Sequence, residues 1–417
     1  MITSRKAGGI LIVTPAAPYP QRASGISVRY LPIIRHLSAR HTVDLLIVSN
    51  GSVTAESAAA LKEYCREVTV IDRRTLTKPS VFQKIPAKLR TLLPAAIPHT
   101  YLVYGTEGLG ARIAACASRS QYDAAVWVTG QYTQYLDRLS AKRLVVDFID
   151  SPALSLQRRV FGCSRLAPHA YECWKMRRWE AQIIRRAAAT IYVSDVDAHV
   201  VPESLAPGRR RYVIPNGVSL EGYTSSVEAS VSSPSIGFLG NMAYPPNVEA
   251  VQWLYEEVFV SLRSTFGNLT LYVIGRDPVD SILALGTCPG VVVTGAVDEI
   301  WPYVNAVDVF ALPIWTGAGL KNKVLEAMYA KRPVVTTPIG SEGIGATSGR
   351  ELIVCSEGER FKTEVGRLLT SPHERRNLGD AGHALVTERF SWGRILEAFE
   401  SVILGRDAGS SSLVPDQ

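Results

Sequence analysis

Short apolar runs separated by longer amphipathic stretches recur along the whole chain. Residues 10–14, Ile-Leu-Ile-Val-Thr, predict a strand, followed by a loop rich in Pro, Gly and Ser and a helix over about 27–40. Residues 43–48 predict the next strand, and further strands fall near 68–71, 124–128, 144–147 and 190–193. Helical stretches separate them, including a long basic one over about 171–188. Residues 219–235 are polar and serine-rich, the composition of a linker. Alternation then restarts with strands at 236–239, 271–274, 291–293, 307–313 and 333–337 and helices at about 246–263 and 298–305. Past Gly358 the pattern is helical, closing in an amphipathic helix at 390–399 with Ser391 as its cap and a disordered tail at 407–417.

Such βα alternation predicts an α/β fold of two doubly wound, Rossmann-like domains facing across a cleft. The boundaries read as 1–218, a linker over 219–235, a second domain over 236–388, a closing helix over 389–406, and the tail. Beyond the two similar halves there is no internal repeat.

With 417 residues and 47% hydrophobic content the chain can bury two sizeable cores. No apolar run reaches the roughly 18 residues that span a bilayer, so neither a transmembrane helix nor a signal peptide is expected. The six cysteines lack C-x-x-C spacing, which predicts buried free thiols and a reducing cytoplasm. Charge is uneven: residues 1–232 hold 30 basic and 17 acidic side chains, and residues 233–417 hold 15 and 21. A basic first half suits nucleic acid, an anionic membrane face or a phosphorylated acceptor.

The most chemically specific stretch is Gly317-Ala318-Gly319-Leu320-Lys321-Asn322-Lys323-Val324-Leu325-Glu326-Ala327-Met328. Gly317 and Gly319 let backbone approach an anion, and the first N–H groups of the following helix point at it with the positive end of the dipole. Lys321 and Lys323 add full charges. Glu326, two turns in, can accept hydrogen bonds from vicinal hydroxyls such as those of a ribose. Strands before and after make this a βαβ unit, with the loop at the carboxyl ends where ligands bind in open parallel sheets.

Together with Ile214-Pro215-Asn216-Gly217-Val218, Gly237-Phe238-Leu239-Gly240, Val273-Ile274-Gly275 and Gly295-Ala296-Val297, this stretch resembles the family 4 glycosyltransferases of the GT-B architecture, in particular bacterial sugar transferases of surface-polysaccharide assembly. The resemblance implies a second domain that binds a nucleotide-diphospho-sugar, of UDP or GDP type, and a first domain that holds a saccharide or polyprenyl-linked acceptor. Glu326 would meet the ribose, Lys321 and Lys323 the diphosphate, and backbone near Val297 the base. Gly240, Asn241, Gly275, Gly317 and Gly319 complete the donor site, and Gly25, with Ser24 and Arg29 nearby, would approach the diphosphate from the first domain. The resemblance also implies that the closing helix over 389–406 crosses back to the first domain. The reaction would be retaining and independent of metal or cofactor, and nucleic acid is not an expected partner.

The chain departs from the family at three places. Ala318 stands where many members have a glutamate eight residues before Glu326. Gly240-Asn241-Met242-Ala243-Tyr244-Pro245-Pro246-Asn247 lacks the usual Arg and Lys, which leaves Lys321 and Lys323 to hold the diphosphate. No histidine follows residues 144–148. Asp147 and Asp150, at the end of a first-domain strand, are candidate proton acceptors for the acceptor hydroxyl, and a helix-capping aspartate is the competing reading. Asp195-x-Asp197 reads as a cap led by Ser194 more than as a metal pair. Residues 84–104 mix basic and apolar side chains and would suit peripheral contact with the inner membrane face, or an internal packing loop. A sugar-nucleotide epimerase and a catalytically silent nucleotide-sugar binder remain open. A dehydrogenase is disfavoured because Pro15-Ala16-Ala17-Pro18 replaces a glycine fingerprint.

Overall fold

A computed structural model of the chain describes residues 9–21, 24–51, 53–76, 97–102, 106–158, 166–218 and 231–406. Residues 219–230 of the expected linker, the tail, and residues 84–96 and 103–104 of the basic-apolar segment lie outside them. The chain divides into two compact units, one formed by Met1–Asn216 with Trp392–Asp416, the other by Gly217–Ser391.

The first unit carries strands β1 (Gly9–Thr14), β2 (Thr42–Ser49), β3 (Glu67–Asp72), β4 (Ala124–Val128), β5 (Arg143–Ile149), β6 (Ala189–Tyr192) and β7 (Arg211–Val213). They form one parallel sheet in the order β3-β2-β1-β4-β5-β6-β7. Its central strands are apolar on both faces because helices cover both, and two buried clusters result, one on each side. The helix Gly25–Arg40 starts on Ser24, whose side chain accepts from Ser27 N while the Ser27 hydroxyl accepts from Ser24 N. Tyr30, Leu31, Ile34 and Leu37 give it a buried stripe at helical spacing. The helix Trp392–Leu404 packs on it: Phe399 meets the Tyr30 ring edge-on at 6.1 Å, and Glu400 bonds His36, Arg40 and His41.

The second unit carries β8 (Ser235–Leu239), β9 (Thr270–Ile274), β10 (Val291–Gly295), β11 (Val309–Leu312), β12 (Val334–Thr336) and β13 (Ile353–Val354). All pairs are parallel, in the order β10-β9-β8-β11-β12-β13. The order reverses between β8 and β11, so the loops after these two strands open at a topological switch point. The helix after β8 runs from Pro245 through a π-helical turn, Leu254–Phe259, to Phe266. β13, two residues long, is too short for periodicity to announce and does not figure among the strands read from sequence.

Candidate nucleotide-sugar site

Both switch-point loops of the second unit are built around glycine. After β11, Gly317 and Gly319 adopt φ of 101° and 75°, a region that other residues enter at a cost, and turn the chain into the helix Asn322–Tyr329. After β9, Gly275 has φ of 147°, and a Cβ there would lie 1.7 Å from the carbonyl oxygen of Gly240. Only glycine lets the ends of β8 and β9 come this close.

Lys323 stands at the centre. Its ammonium lies 4.8 Å from the Phe238 ring centroid and donates to Asn247 Oδ1. A Cβ on Gly240 would sit 3.1 Å from Lys323 Nζ, so this glycine makes room for the cation. Burial, then the neighbouring Lys321 charge, push the Lys323 ammonium down to about 7, against the opposing pull of Glu326. A cation held at such cost gains more than an exposed one when an anion arrives. Lys321 occupies the cap position of the helix, and its ammonium donates to the carbonyls of Ala318, at 2.9 Å, and Gly319, bracing the glycine turn. Glu326 lies one turn into the helix, not two, because the helix begins at Asn322.

Gly240, Asn241, Gly275, Lys321 and Lys323 thus gather around the ends of β8, β9 and β11, with Gly317 and Gly319 in the same loop as Lys321. Val297 lies apart, past β10 at the sheet edge; Gly275 N reaches that strand by donating to Thr294 Oγ1 at 3.2 Å. Sequence reasoning missed three neighbours. Asn247 lies under the Gly240 turn. Tyr244 reaches over the glycine loop, its hydroxyl 3.7 Å from where a Gly317 Cβ would stand. Arg276 receives Met242 N on its carbonyl at 2.9 Å and places a basic side chain beside the turn that lacks one of its own. An asparagine one turn after a glycine turn, and an arginine directly after a strand-ending glycine, were the available signals.

In the first unit Gly25 is exposed at the start of its helix, and nothing lies within 4 Å of the Cβ it lacks. Arg29 and Asp147 require correction. Asp147 is fully buried: its Oδ2 accepts from Arg29 Nε and from the Tyr30 hydroxyl, both at 2.7 Å, and its Oδ1 from Ile149 N at 3.0 Å. Arg29, equally buried, also donates to Ile214 O, Pro215 O and Asn216 Oδ1. The pair ties β5 to the helix and to the Pro215 loop, so this carboxylate is a counter-ion inside the unit and not a base presented to substrate. Asp150 is half-buried, just past Ile149, whose φ of 64° is strained for a β-branched residue. Thr129, directly after the neighbouring strand β4, has φ of 68°. Asp197 is buried and internal: its N–H donates to the Ser194 cap at 3.2 Å and its carboxylate accepts from Ser151 N at 2.8 Å. This arrangement accords with the helix cap led by Ser194.

Two doubly wound parallel units, the second with a glycine-lysine cradle at its switch point, define the GT-B class of fold. Residues 233–371 match the model of the family Glycosyl transferases group 1. The whole chain is similar in fold to sucrose-phosphate synthase from Thermosynechococcus elongatus, at a TM-score of 0.70 and 15% identity over 97% of this chain and 100% of that one. It is also similar to the Anabaena protein HepE, solved in complex with UDP-glucose, at 0.63 and 15% over 95% and 100%. An uncharacterized 44.6 kDa protein in the cps region of Klebsiella pneumoniae is 24% identical over 136 residues, 31% of this chain and 35% of that one. That match spans about a third of the curated relative's length.

Proposed function

We propose that the protein is a glycosyltransferase that moves a sugar from a nucleotide-diphospho-sugar to a hydroxyl of a saccharide or lipid-linked acceptor. The observation that carries this is Lys323, lodged against Phe238 beneath Gly240 with Lys321 and Glu326 beside it, where the loops after β8 and β11 open. Departure of a nucleoside diphosphate builds negative charge through an oxocarbenium-like state, and fixed cations and helix N–H groups aimed at that charge lower its energy. In this reading Lys321 and Lys323 serve the diphosphate and Glu326 the ribose. Transfer proceeds with retention and without a metal, and Asp150 is the proton acceptor for the acceptor hydroxyl. The strained residues at the ends of β4 and β5 support an acceptor at that rim of the first unit, since strain is concentrated at ligand sites. The complexes of HepE favour UDP as the nucleotide to try first, and the cps-region relative accords with a polysaccharide product.

One observation favours a second reading. Ala318 replaces the glutamate that many members use on the donor sugar, so the chain could bind a nucleotide sugar without turning it over, as a partner of another transferase.

A thermal-shift panel of UDP, GDP, ADP, TDP and CMP on the wild type, Lys323→Ala and Glu326→Ala tests the proposal. Ligand at about a hundred times its dissociation constant adds roughly 2.7 kcal/mol, a rise of several degrees. One nucleoside diphosphate should stabilise the wild type and neither variant; no shift with any of them refutes the site. Release of that nucleotide from its sugar conjugate, with acceptor present, separates the enzyme from the silent binder.

A further inference from the structure

We propose that Asn247 is a positioning residue of the diphosphate site, one that ties Lys323 and the Gly240-Asn241 turn into a single unit. The inference rests on the reading of Lys323 as a diphosphate contact and adds what holds that contact in place.

Asn247 is the third residue of the helix Pro245–Trp253 and is only 5% exposed. Its Oδ1 accepts from Lys323 Nζ, and its Nδ2 donates to the carbonyl of Asn241 at 2.8 Å. The amide can sit only this way round, because an ammonium has no acceptor to offer and a carbonyl no donor. A Cβ on Gly240 would fall 2.6 Å from Asn247 Nδ2 and 3.1 Å from Lys323 Nζ, so turn, amide and cation are in contact. This is the one hydrogen bond that the Lys323 ammonium makes among the described residues, which leaves two of its three N–H groups for an incoming anion.

The choice of an amide follows from charge. The groups acting on Lys323 are Lys321 before its helix, Glu326 on its helix and the Phe238 ring on β8. On the far side of the turn Asp277 accepts from Asn241 Nδ2 at 3.1 Å and pairs with Arg276 at 3.4 Å. A carboxylate at 247 would neutralise the cation and compete with the diphosphate; an aliphatic side chain would leave the ammonium without an acceptor. The neutral amide orients the lysine without spending its charge. It thereby supports a lysine that stands, on the helix Asn322–Tyr329, beside a turn lacking the basic pair expected there. The low Lys323 value is consistent with this, since binding an anion would then draw a proton onto the lysine near neutral pH.

Titration calorimetry of UDP, with GDP, ADP and TDP run beside it, from pH 6 to 9 on the wild type, Lys323→Ala, Asn247→Ala and Asn247→Asp tests this. Wild-type affinity should fall as pH rises through about 7, and the step should vanish in Lys323→Ala. Asn247→Ala should bind about tenfold more weakly or worse, with the step moved to lower pH. Asn247→Asp, which keeps an acceptor toward Lys323 and nearly the same volume, should also bind more weakly, with the step moved to higher pH. A folded Asn247→Ala with unchanged affinity and step overturns the proposal, and so does weaker binding with an unmoved step, the mark of a merely structural role. If Asn247→Ala does not fold, Asn247→Asp decides by the same criterion. A wild type that binds none of the four nucleotides overturns the diphosphate reading itself.

Discussion

Two glycines with similar sequence surroundings, each just past a strand or at the head of a helix, have different physical reasons to be glycine. Gly275 must be one, because its φ is 147° and a Cβ would overlap the Gly240 carbonyl. Gly275→Ala should cost about 1–3 kcal/mol or more in urea unfolding and disturb the Gly240 turn with it. Gly25 has open space around the missing Cβ and an ordinary φ. Gly25→Ala should therefore leave stability unchanged or raised by about 0.5 kcal/mol. If it also weakens turnover, the glycine serves a ligand; equal turnover would show that it does not. The lysines and Glu326 were legible in sequence because their spacing around a helix start is local. Asp147 was misread because its partner, Arg29, lies 118 residues away.

Between elements, two buried glutamates act in opposite senses. Glu180 on the helix Leu166–Arg186 accepts from Ser151 Oγ, Ala153 N and the Tyr192 hydroxyl, linking that helix to the start of Pro152–Arg158 and to β6. Burial raises its carboxyl to about 7 in spite of these donors. Its contribution is thus full below the ordinary value of 4.5 and lost as pH rises through 7. Burial also works against the Glu400 charge, but hydrogen bonds from His41, Arg40 and His36 outweigh it and hold this carboxyl at about 2. Glu400 therefore stabilises the docking of Trp392–Leu404 on Gly25–Arg40 above 4.5 and ceases to as pH falls toward 2. Denaturation curves from pH 3 to 8 should show Glu180→Gln losing less stability than wild type between pH 5 and 8. Glu400→Gln should be weaker by on the order of 2–3 kcal/mol at pH 7 and should converge on wild type in acid. Parallel pH profiles for wild type and Glu180→Gln would show that Glu180 does not titrate in this range.

For the whole molecule the uneven charge matters most. The excess of basic side chains falls within residues 1–232, and no described helix is long and apolar enough to cross a membrane. A peripheral, electrostatic attachment for a lipid-linked acceptor would be strong at low ionic strength and screened by salt. Flotation with phosphatidylglycerol vesicles should carry the protein at low salt and release it at high salt. If it stays at the bottom at low salt, the membrane reading fails.

The sequence by itself determined the alternation of strands and helices in both halves, apart from the short β7 and β13, together with the glycine loop and the lysines and glutamate beside it. Apolar runs, caps and turn glycines act over a few residues, so they can be read from a string. Tertiary structure decided which distant residues meet. Sheet order sets the loops after β8 and β11 side by side, and so brings Asn247 to Lys323 across 76 positions. It turns Arg29 and Asp147 inward toward each other. Each of these contacts depends on pairings between strands far apart in the chain, and no local pattern of residues encodes such a pairing.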